Sequence, residues 1–182
     1  YEFRNWADLS AISPVETISP FKAKLGITTP YVALYSGNIA NKQGFEIIPQ
    51  MARHLAVRDD ITIVICGDGP MRETLQEQCH DFPFVRFLPL QPRDQLSDLL
   101  GMADVHLLPQ VAGAVDLVLP SKLANMLASG RPVLATTPAE TALGREVAGC
   151  GQVVAPGDAA GMSQALIGLL DDPKRRMILG QA

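Results

Sequence analysis

The chain has 182 residues, of which 47% are hydrophobic, so it is long enough to bury one substantial core and has the size of a single domain. Its formal net charge is −4 and its basic residues are dispersed, which argues against a nucleic-acid-binding surface or a polybasic membrane patch. Cys66, Cys79 and Cys150 lack the spacing of a metal site and the density of a disulfide-rich secreted domain, which favours reduced thiols in a cytoplasmic protein.

Residues 1–30 differ in composition from the rest of the chain. They contain three prolines and no convincing strand, which predicts a linker that ends in a short helix over residues 20–25. The chain starts without methionine, and its last helical pattern, residues 173–182, stops without a capping residue. We therefore expect a domain excised from a longer protein, with a truncated helix at its end.

Six short apolar runs alternate with segments of helical length over residues 31–172. This alternation is typical of stacked βαβ units around a buried parallel sheet. It predicts the α/β class, a Rossmann-like parallel sheet of about six strands with helices on both faces. The predicted strands are residues 31–35, 61–66, 85–88, 105–108, 133–135 and 152–154.

Apolar residues recur at helical spacing between the predicted strands. The predicted helices are residues 43–57, 71–79, 93–102, 121–129, 141–148 and 159–170, followed by the terminal helix from residue 173. The first of these places one apolar face toward the core, formed by Phe45, Ile48, Met51, Ala52 and Leu55. Ligands of open α/β sheets bind beyond the carboxyl ends of the strands, so the loops that enter these helices are the candidate sites.

The loop after the first strand, residues 36–44, combines a glycine with a lysine. Gly37 allows close backbone approach, and Lys42 at the following helix start is within reach of a phosphate oxygen. The alternative is a flexible turn with a solvated lysine. The spacing excludes a Walker A loop, because no serine or threonine follows the lysine.

The loop after the second strand is Gly67-Asp68-Gly69-Pro70. Its glycines would admit a ligand, but a tight turn with proline at the first helical position explains the same residues, and this loop alone favours the turn. It is not a dinucleotide fingerprint, because the third glycine is missing.

The helix from Pro120 has the composition of an anion-binding site. Proline is suited to a helix start, where the amides of Ser121, Lys122 and Leu123 would point toward a ligand, and the lysine adds a positive charge. Gly130 ends the helix. Together with the two earlier loops, this helix start favours a nucleotide or diphosphate ligand in one crevice.

The histidines do not form a catalytic or metal-binding set. His54, His80 and His106 are scattered, and His106 falls within a predicted buried strand, so we expect structural roles. The sequence therefore predicts no metal site.

Short motifs follow one another along nearly the whole chain. They are Asn5-Trp6-Ala7-Asp8, Tyr35-Ser36-Gly37-Asn38 with Lys42-Gln43-Gly44, Gly67-Asp68-Gly69-Pro70, Ala103-Asp104-Val105, Pro120-Ser121-Lys122-Leu123, Ala128-Ser129-Gly130-Arg131-Pro132-Val133 and Gly157-Asp158. In these motifs and their order, the chain resembles the C-terminal, donor-binding domain of the family 4 retaining GT-B glycosyltransferases. Within that family it is most similar to enzymes of colanic-acid and exopolysaccharide biosynthesis.

The resemblance implies transfer of a sugar, with retained configuration, from a nucleotide diphosphate sugar of UDP or GDP type, without a metal or other cofactor. Lys42 would be the catalytic cation that neutralises the leaving diphosphate. The diphosphate would also contact Gly37, Ser121 and Lys122 through their backbone amides. Asn38, next to Gly37, is the remaining residue implied in diphosphate binding. Other residues implied near the nucleobase are Gly67, Gly69, Leu88 and Leu90.

Two departures from the family pattern affect this assignment. Asn38 stands where the family commonly has arginine, so one phosphate-binding cation is absent. Leu117 and Asn125 stand where the family has two glutamates. Asn125 would then bind a ribose hydroxyl through its amide, and Asp116, one position out of register, is the alternative for ribose or sugar.

The resemblance also makes residues 1–30 an interdomain linker and implies partners outside the chain. The acceptor, a glycan or a lipid-linked sugar, would bind a missing N-terminal domain, so the fragment alone would be inactive. The parent would be cytoplasmic, at the inner face of the inner membrane. Two alternatives stay open: a GT-B sugar epimerase, and a non-catalytic module that binds nucleotide sugars, the latter because the arginine and both glutamates are lost.

Overall fold

The computed structural model describes residues 12–14, 19–111, 113 and 120–182, except the side chain of Lys42. Six strands form one sheet in which every neighbouring pair is parallel, in the order β3-β2-β1-β4-β5-β6. The strands are β1 (Tyr31–Ser36), β2 (Ile61–Cys66), β3 (Val85–Leu88), β4 (Val105–Leu108), β5 (Val133–Thr136) and β6 (Gly151–Val154). The predicted Rossmann-like sheet is therefore confirmed.

Helices cover both faces of the sheet. They are α1 (Pro20–Lys24), α2 (Ile47–Leu55), α3 (Arg72–Gln78), α4 (Leu96–Gly101), α5 (Ser121–Ala128), α6 (Ala142–Cys150), α7 (Ala159–Leu170) and α8 (Pro173–Gln181). In the described part of the chain, no helix is long and apolar enough to cross a membrane.

The core forms two layers, one on each face of the sheet. On one face, alternate strand residues such as Ala33 and Tyr35 pack with α2, α3 and α7. On the other face, Val32 and Leu34 pack with α1 and α4, while β5 packs with α5 and α6. Because β1, β2, β4 and β5 are covered on both sides, their sequences are nearly continuous apolar runs, as in other parallel sheets.

Side-chain caps define where four of the helices start. The side chains of Ser19, Thr141, Asp158 and Asp172 each accept a hydrogen bond from a first-turn amide, at 2.8 to 3.2 Å. Ser19 also donates to the carbonyl oxygen of Asp98 at 2.8 Å, which ties α1 to α4.

One predicted helix begins later than its sequence suggested. Residues 41–43 form a single 3-10 turn, and Gly44 then adopts a left-handed conformation with φ 61°, so α2 starts only at Ile47. The apolar face predicted for the longer helix, from Phe45 to Leu55, is buried as expected, although Phe45 lies before α2. The predicted helix at residues 93–102 is similarly divided into a 3-10 turn and α4.

Candidate functional site

The loops at the carboxyl ends of the strands meet along one edge of the sheet. β1 lies at the centre of the sheet. From it the chain builds the sheet outward in one direction through β2 and β3, and then returns to build it in the opposite direction from β4 to β6. In open α/β sheets a crevice forms at such a reversal and is where ligands bind. The candidate site therefore lies beyond β1 and β4.

The loops after β1 and β2 contact each other through their backbones. The amide of Gly37 donates to the carbonyl oxygen of Cys66 at 2.9 Å, and the amide of Ile39 donates to that of Asp68 at 2.8 Å. Gly67 has φ 150°, and a β-carbon there would overlap the carbonyl oxygen of Gly37. Only glycine allows these two loops to lie this close.

Arg72, in the first turn of α3, joins the loops after β2 and β3. Its guanidinium donates to the carbonyl oxygens of Gly67 and, at 2.8 Å, Leu88. The thiol of Cys66 donates to the carbonyl oxygen of Pro89 at 3.2 Å, and burial raises the pKa of this thiol. The loops after β2 and β3, where the predicted nucleobase-binding residues lie, are thus fixed to each other.

On the other side of the crevice, the loops after β1, β4 and β5 are also in contact. A β-carbon on Gly44 would lie 2.9 Å from the carbonyl oxygen of Gln110. The hydroxyl of Thr136 accepts from the amide of Gln110 at 2.8 Å and donates to its carbonyl oxygen at 3.1 Å. Five of the six strands are therefore connected at this edge before any ligand is bound.

The start of α5 faces this crevice. Pro120 is the residue before the first turn, with ψ 128°, and the helix begins at Ser121. The amide of Leu123 donates to the carbonyl oxygen of Pro120 at 2.9 Å, so this amide is used within the chain. Asn125, one turn later, is half-buried. Of the three first-turn amides predicted to bind a ligand, those of Ser121 and Lys122 therefore remain. The helix dipole also favours an anion at this position.

The side chain of Lys122 reaches back from α5 to the end of β1. Its ammonium nitrogen lies 2.8 Å from the hydroxyl oxygen of Tyr35 and 4.5 Å from the centroid of that ring. A β-carbon on Gly37 would lie 3.7 Å from the same nitrogen. The structure thus brings together two predicted phosphate-binding residues, Gly37 and Lys122, which are far apart in the sequence.

One predicted contact is corrected by this geometry. We expected the amide of Gly37 to bind the diphosphate, but this amide already donates to Cys66 in the sheet. The contribution that remains for Gly37 is the absence of a side chain, which leaves room beside Lys122. Asn38, the other predicted diphosphate contact in this loop, is exposed.

Several predicted site residues lie partly or wholly outside the described part of the chain. Lys42 is in the 3-10 turn after β1, but its side chain is not among the described atoms. Asp116 and Leu117 lie outside the described residues altogether. Of the predicted nucleobase-binding residues, Gly67 is buried between loops, whereas Leu90 is 65% exposed at the same edge.

The histidines lie apart from the crevice or are buried in the core. His54 and His80 are exposed on or beside helices, and His106 is fully buried in β4, where its Nε2 lies 2.9 Å from the hydroxyl oxygen of Ser129. Among the described residues, no three side chains of His, Cys, Asp or Glu are grouped so that they could hold a metal.

Two open hollows lie on another part of the surface, beside α8. Their volumes are about 530 and 650 Å³. The larger is lined by residues before β4 and β5, such as Asp104 and Arg131, and by residues of α8. Both hollows are thus away from the carboxyl edge of the sheet, so we do not assign the nucleotide to them.

Sequence reasoning missed Tyr35 and Arg72, which position the groups in this crevice. Tyr35 lies in a predicted strand and in a family motif, but its side chain was given no role, although a buried tyrosine needs a partner for its hydroxyl. The sequence signal for Arg72 was its position just after the glycine loop, where a basic side chain can donate to loop carbonyl oxygens.

Comparisons with known proteins identify the family and the fold of the chain. A sequence model of the family described as "Glycosyl transferases group 1" matches residues 30–172. WcaI of Escherichia coli (strain K12), provisionally named a colanic acid biosynthesis glycosyl transferase, is 38% identical over 149 residues, which cover 79% of this chain and 36% of that protein. The chain therefore spans about a third of the length of that curated relative.

Solved structures share the fold. The C-terminal domain of LpcC, a glycosyl transferase group 1 family protein from Francisella tularensis, matches with a TM-score of 0.76 and 17% identity, covering 96% of this chain and 93% of that chain. HepE from Anabaena, solved in complex with UDP-glucose, matches with a TM-score of 0.80 and 17% identity, covering 97% of this chain and 49% of that chain. At these identities the likeness concerns the fold alone.

Proposed function

Because the chain belongs to the family of group 1 glycosyl transferases, we propose that it is the donor-binding half of an enzyme that transfers a sugar from a nucleotide diphosphate sugar. The acceptor, a glycan or a lipid-linked sugar, would bind another domain of the same protein. Two findings support this division: the chain matches an isolated C-terminal domain almost end to end, but about half of the longer HepE chain.

The convergence of Lys122, the start of α5 and the turn at Gly37 carries this proposal. The Lys122 ammonium lies beside Gly37, a loop position without a side chain, at the carboxyl end of the central strand. A diphosphate placed there would meet a fixed positive charge and the positive end of a helix dipole. Both would stabilise the negative charge that develops on the leaving diphosphate as the glycosidic bond breaks.

Lys42 is the second cation in this proposal. Its backbone follows the Gly37 turn, in the 3-10 segment that leads into α2. Asn125, one turn into α5, and Asp116 remain the candidates for the ribose or sugar hydroxyls. The finer assignments, retention of configuration and a role in cell-surface polysaccharide synthesis, are supported by the family resemblance and by the name of WcaI.

Calorimetric titration with UDP and GDP tests the binding site, with uridine and guanosine as probes that lack the diphosphate. We expect one diphosphate to bind more tightly than its nucleoside. Lys122→Ala and Lys42→Ala should each weaken diphosphate binding at least tenfold, because a hydrogen bond to a charged group contributes about 1.5–3 kcal/mol.

Lys174→Ala is the matched control, because it removes the same charge from an exposed position on α8. It should bind as the unmodified chain does. The proposal fails if neither diphosphate binds, or if both lysine variants of the crevice bind with unchanged affinity. A separate experiment tests retention of configuration: NMR analysis of the product made by the longer parent shows whether the transferred sugar keeps its anomeric configuration.

A further inference from the structure

Tyr35 joins the hydrophobic core to the proposed diphosphate site. It is the second-last residue of β1 and is fully buried. Its ring packs edge-on against Phe45, with centroids 4.8 Å apart and an interplanar angle of 79°. Such a pair, covered on all sides, holds the ring in one position.

The hydroxyl group of Tyr35 has one partner in the loop after β1 and another in α5. It donates to the backbone carbonyl of Asn38 at 2.6 Å and accepts from the ammonium of Lys122 at 2.8 Å. These roles are compatible, since a hydroxyl has one proton to donate and an ammonium only donates. Burial raises the pKa of Tyr35, so the hydroxyl keeps its proton at neutral pH.

The ring face adds a second attraction for the same ammonium. Lys122 Nζ lies 4.5 Å from the ring centroid, within the range of a cation–π interaction. A lysine side chain has four flexible bonds, and ordering it costs considerable rotamer entropy. Tyr35 reduces that cost before a ligand arrives, because its own ring is fixed by the core.

We propose that Tyr35 is a positioning residue, whose hydroxyl sets where the Lys122 ammonium lies relative to the donor diphosphate. The inference rests on the proposed function, because it takes Lys122 to be a diphosphate ligand. Tyr35 itself touches no substrate in this scheme, because it acts through Lys122.

The substitution Tyr35→Phe tests the proposal, since it removes the hydroxyl and keeps the ring that packs against Phe45. Calorimetric titration with UDP and GDP should show about fivefold weaker diphosphate binding, as loss of one modest hydrogen bond predicts. Binding of uridine and guanosine should not change, since they lack the diphosphate. In a Lys122→Ala background, Tyr35→Phe should have no further effect, because the two residues act as a pair.

Tyr31→Phe is the matched control, since it removes a hydroxyl from the other end of the same strand. It should leave diphosphate binding unchanged. The inference about Tyr35 alone is overturned if Lys122→Ala weakens binding but Tyr35→Phe does not, or if the Tyr35→Phe loss persists undiminished without Lys122. If the unmodified chain binds neither diphosphate, the proposed function falls and the inference falls with it.

A measurement on the unmodified chain covers the case in which Tyr35→Phe does not fold. In a sample with ¹³C-labelled lysine, the Lys122 ε-methylene protons should show a nuclear Overhauser effect to the ring protons of Tyr35, because the ammonium lies 2.8 Å from the Tyr35 hydroxyl oxygen. Lys122→Arg removes this resonance and so assigns it. If the assigned Lys122 resonance shows no such effect, the contact on which the inference depends is refuted.

Discussion

His106 should make the folded chain sensitive to acid. The hydroxyl of Ser129 donates to the carbonyl oxygen of Met126 at 2.6 Å, so the imidazole must donate to that hydroxyl through Nε2. Nδ1 is then an acceptor, buried without a hydrogen-bond partner among the described residues. Burial, with a smaller contribution from the Arg131 guanidinium, lowers the pKa of His106 from 6.5 to about 3.

The sign of the effect follows from this lowered pKa. In the unfolded chain the imidazole titrates near 6.5, so between pH 6.5 and about 3 the unfolded state binds a proton that the folded state does not. The free energy of unfolding therefore falls as the pH is lowered through that window. At about 1.4 kcal/mol per pH unit, His106 should account for a loss of about 2 kcal/mol at pH 5 and about 3 kcal/mol at pH 4.

Urea unfolding at pH 7 and pH 5, followed by circular dichroism, measures this loss. His106→Gln keeps an N–H group for Ser129 but does not titrate, so the drop in unfolding free energy between the two pH values should be about 2 kcal/mol smaller. His54→Gln, an exposed histidine on α2, is the control and should keep the drop of the unmodified chain. If His106→Gln loses as much stability between pH 7 and pH 5 as the unmodified chain does, the reasoning is wrong.

Two further substitutions test how the carboxyl edge is held together. Gly67→Ala would force a β-carbon into the Gly37 carbonyl oxygen, so urea unfolding should show a loss of at least about 2 kcal/mol, and diphosphate binding should weaken as well. Gly168→Ala, in an open position of α7, should instead gain about 0.5–1 kcal/mol, and an equal loss in both variants would contradict this account. Arg72→Met removes the side-chain donor from the carbonyl oxygens of Gly67 and Leu88 and should lower the thermal midpoint by several degrees in calorimetry, as about 1–3 kcal/mol implies, whereas Arg53→Met on the exposed side of α2 should not.

Most of the fold could be predicted because the signals are local. Strand β2, for example, occupies the six residues between two polar segments that the sequence indicated, and all of them except Thr62 are apolar. The family resemblance is also confirmed, because it depended on the order of short motifs along the chain. The start of α2 was missed for a non-local reason: Gly44 breaks the helix where its backbone lies against Gln110, in the loop after β4.

The candidate site could be predicted only as a set of separate loops. That Tyr35 and Lys122 form a pair depends on strand order, since 87 residues separate them in sequence. The use of the Gly37 amide by Cys66 depends on register between β1 and β2, which side-chain identity does not reveal. The sequence therefore indicated which loops form the candidate site. The structure was needed to show which of their atoms already make hydrogen bonds within the chain.

The loops of the carboxyl edge are joined largely by main-chain atoms, and this bears on how such a domain diversifies. The contacts of Gly37 with Cys66, Ile39 with Asp68 and Gly67 with Leu88 involve no side-chain atom. A mutation that changes a neighbouring side chain, such as exposed Leu90, leaves these contacts intact. Preference for one base or sugar over another can therefore drift by single substitutions while the surface of the proposed diphosphate site is inherited unchanged.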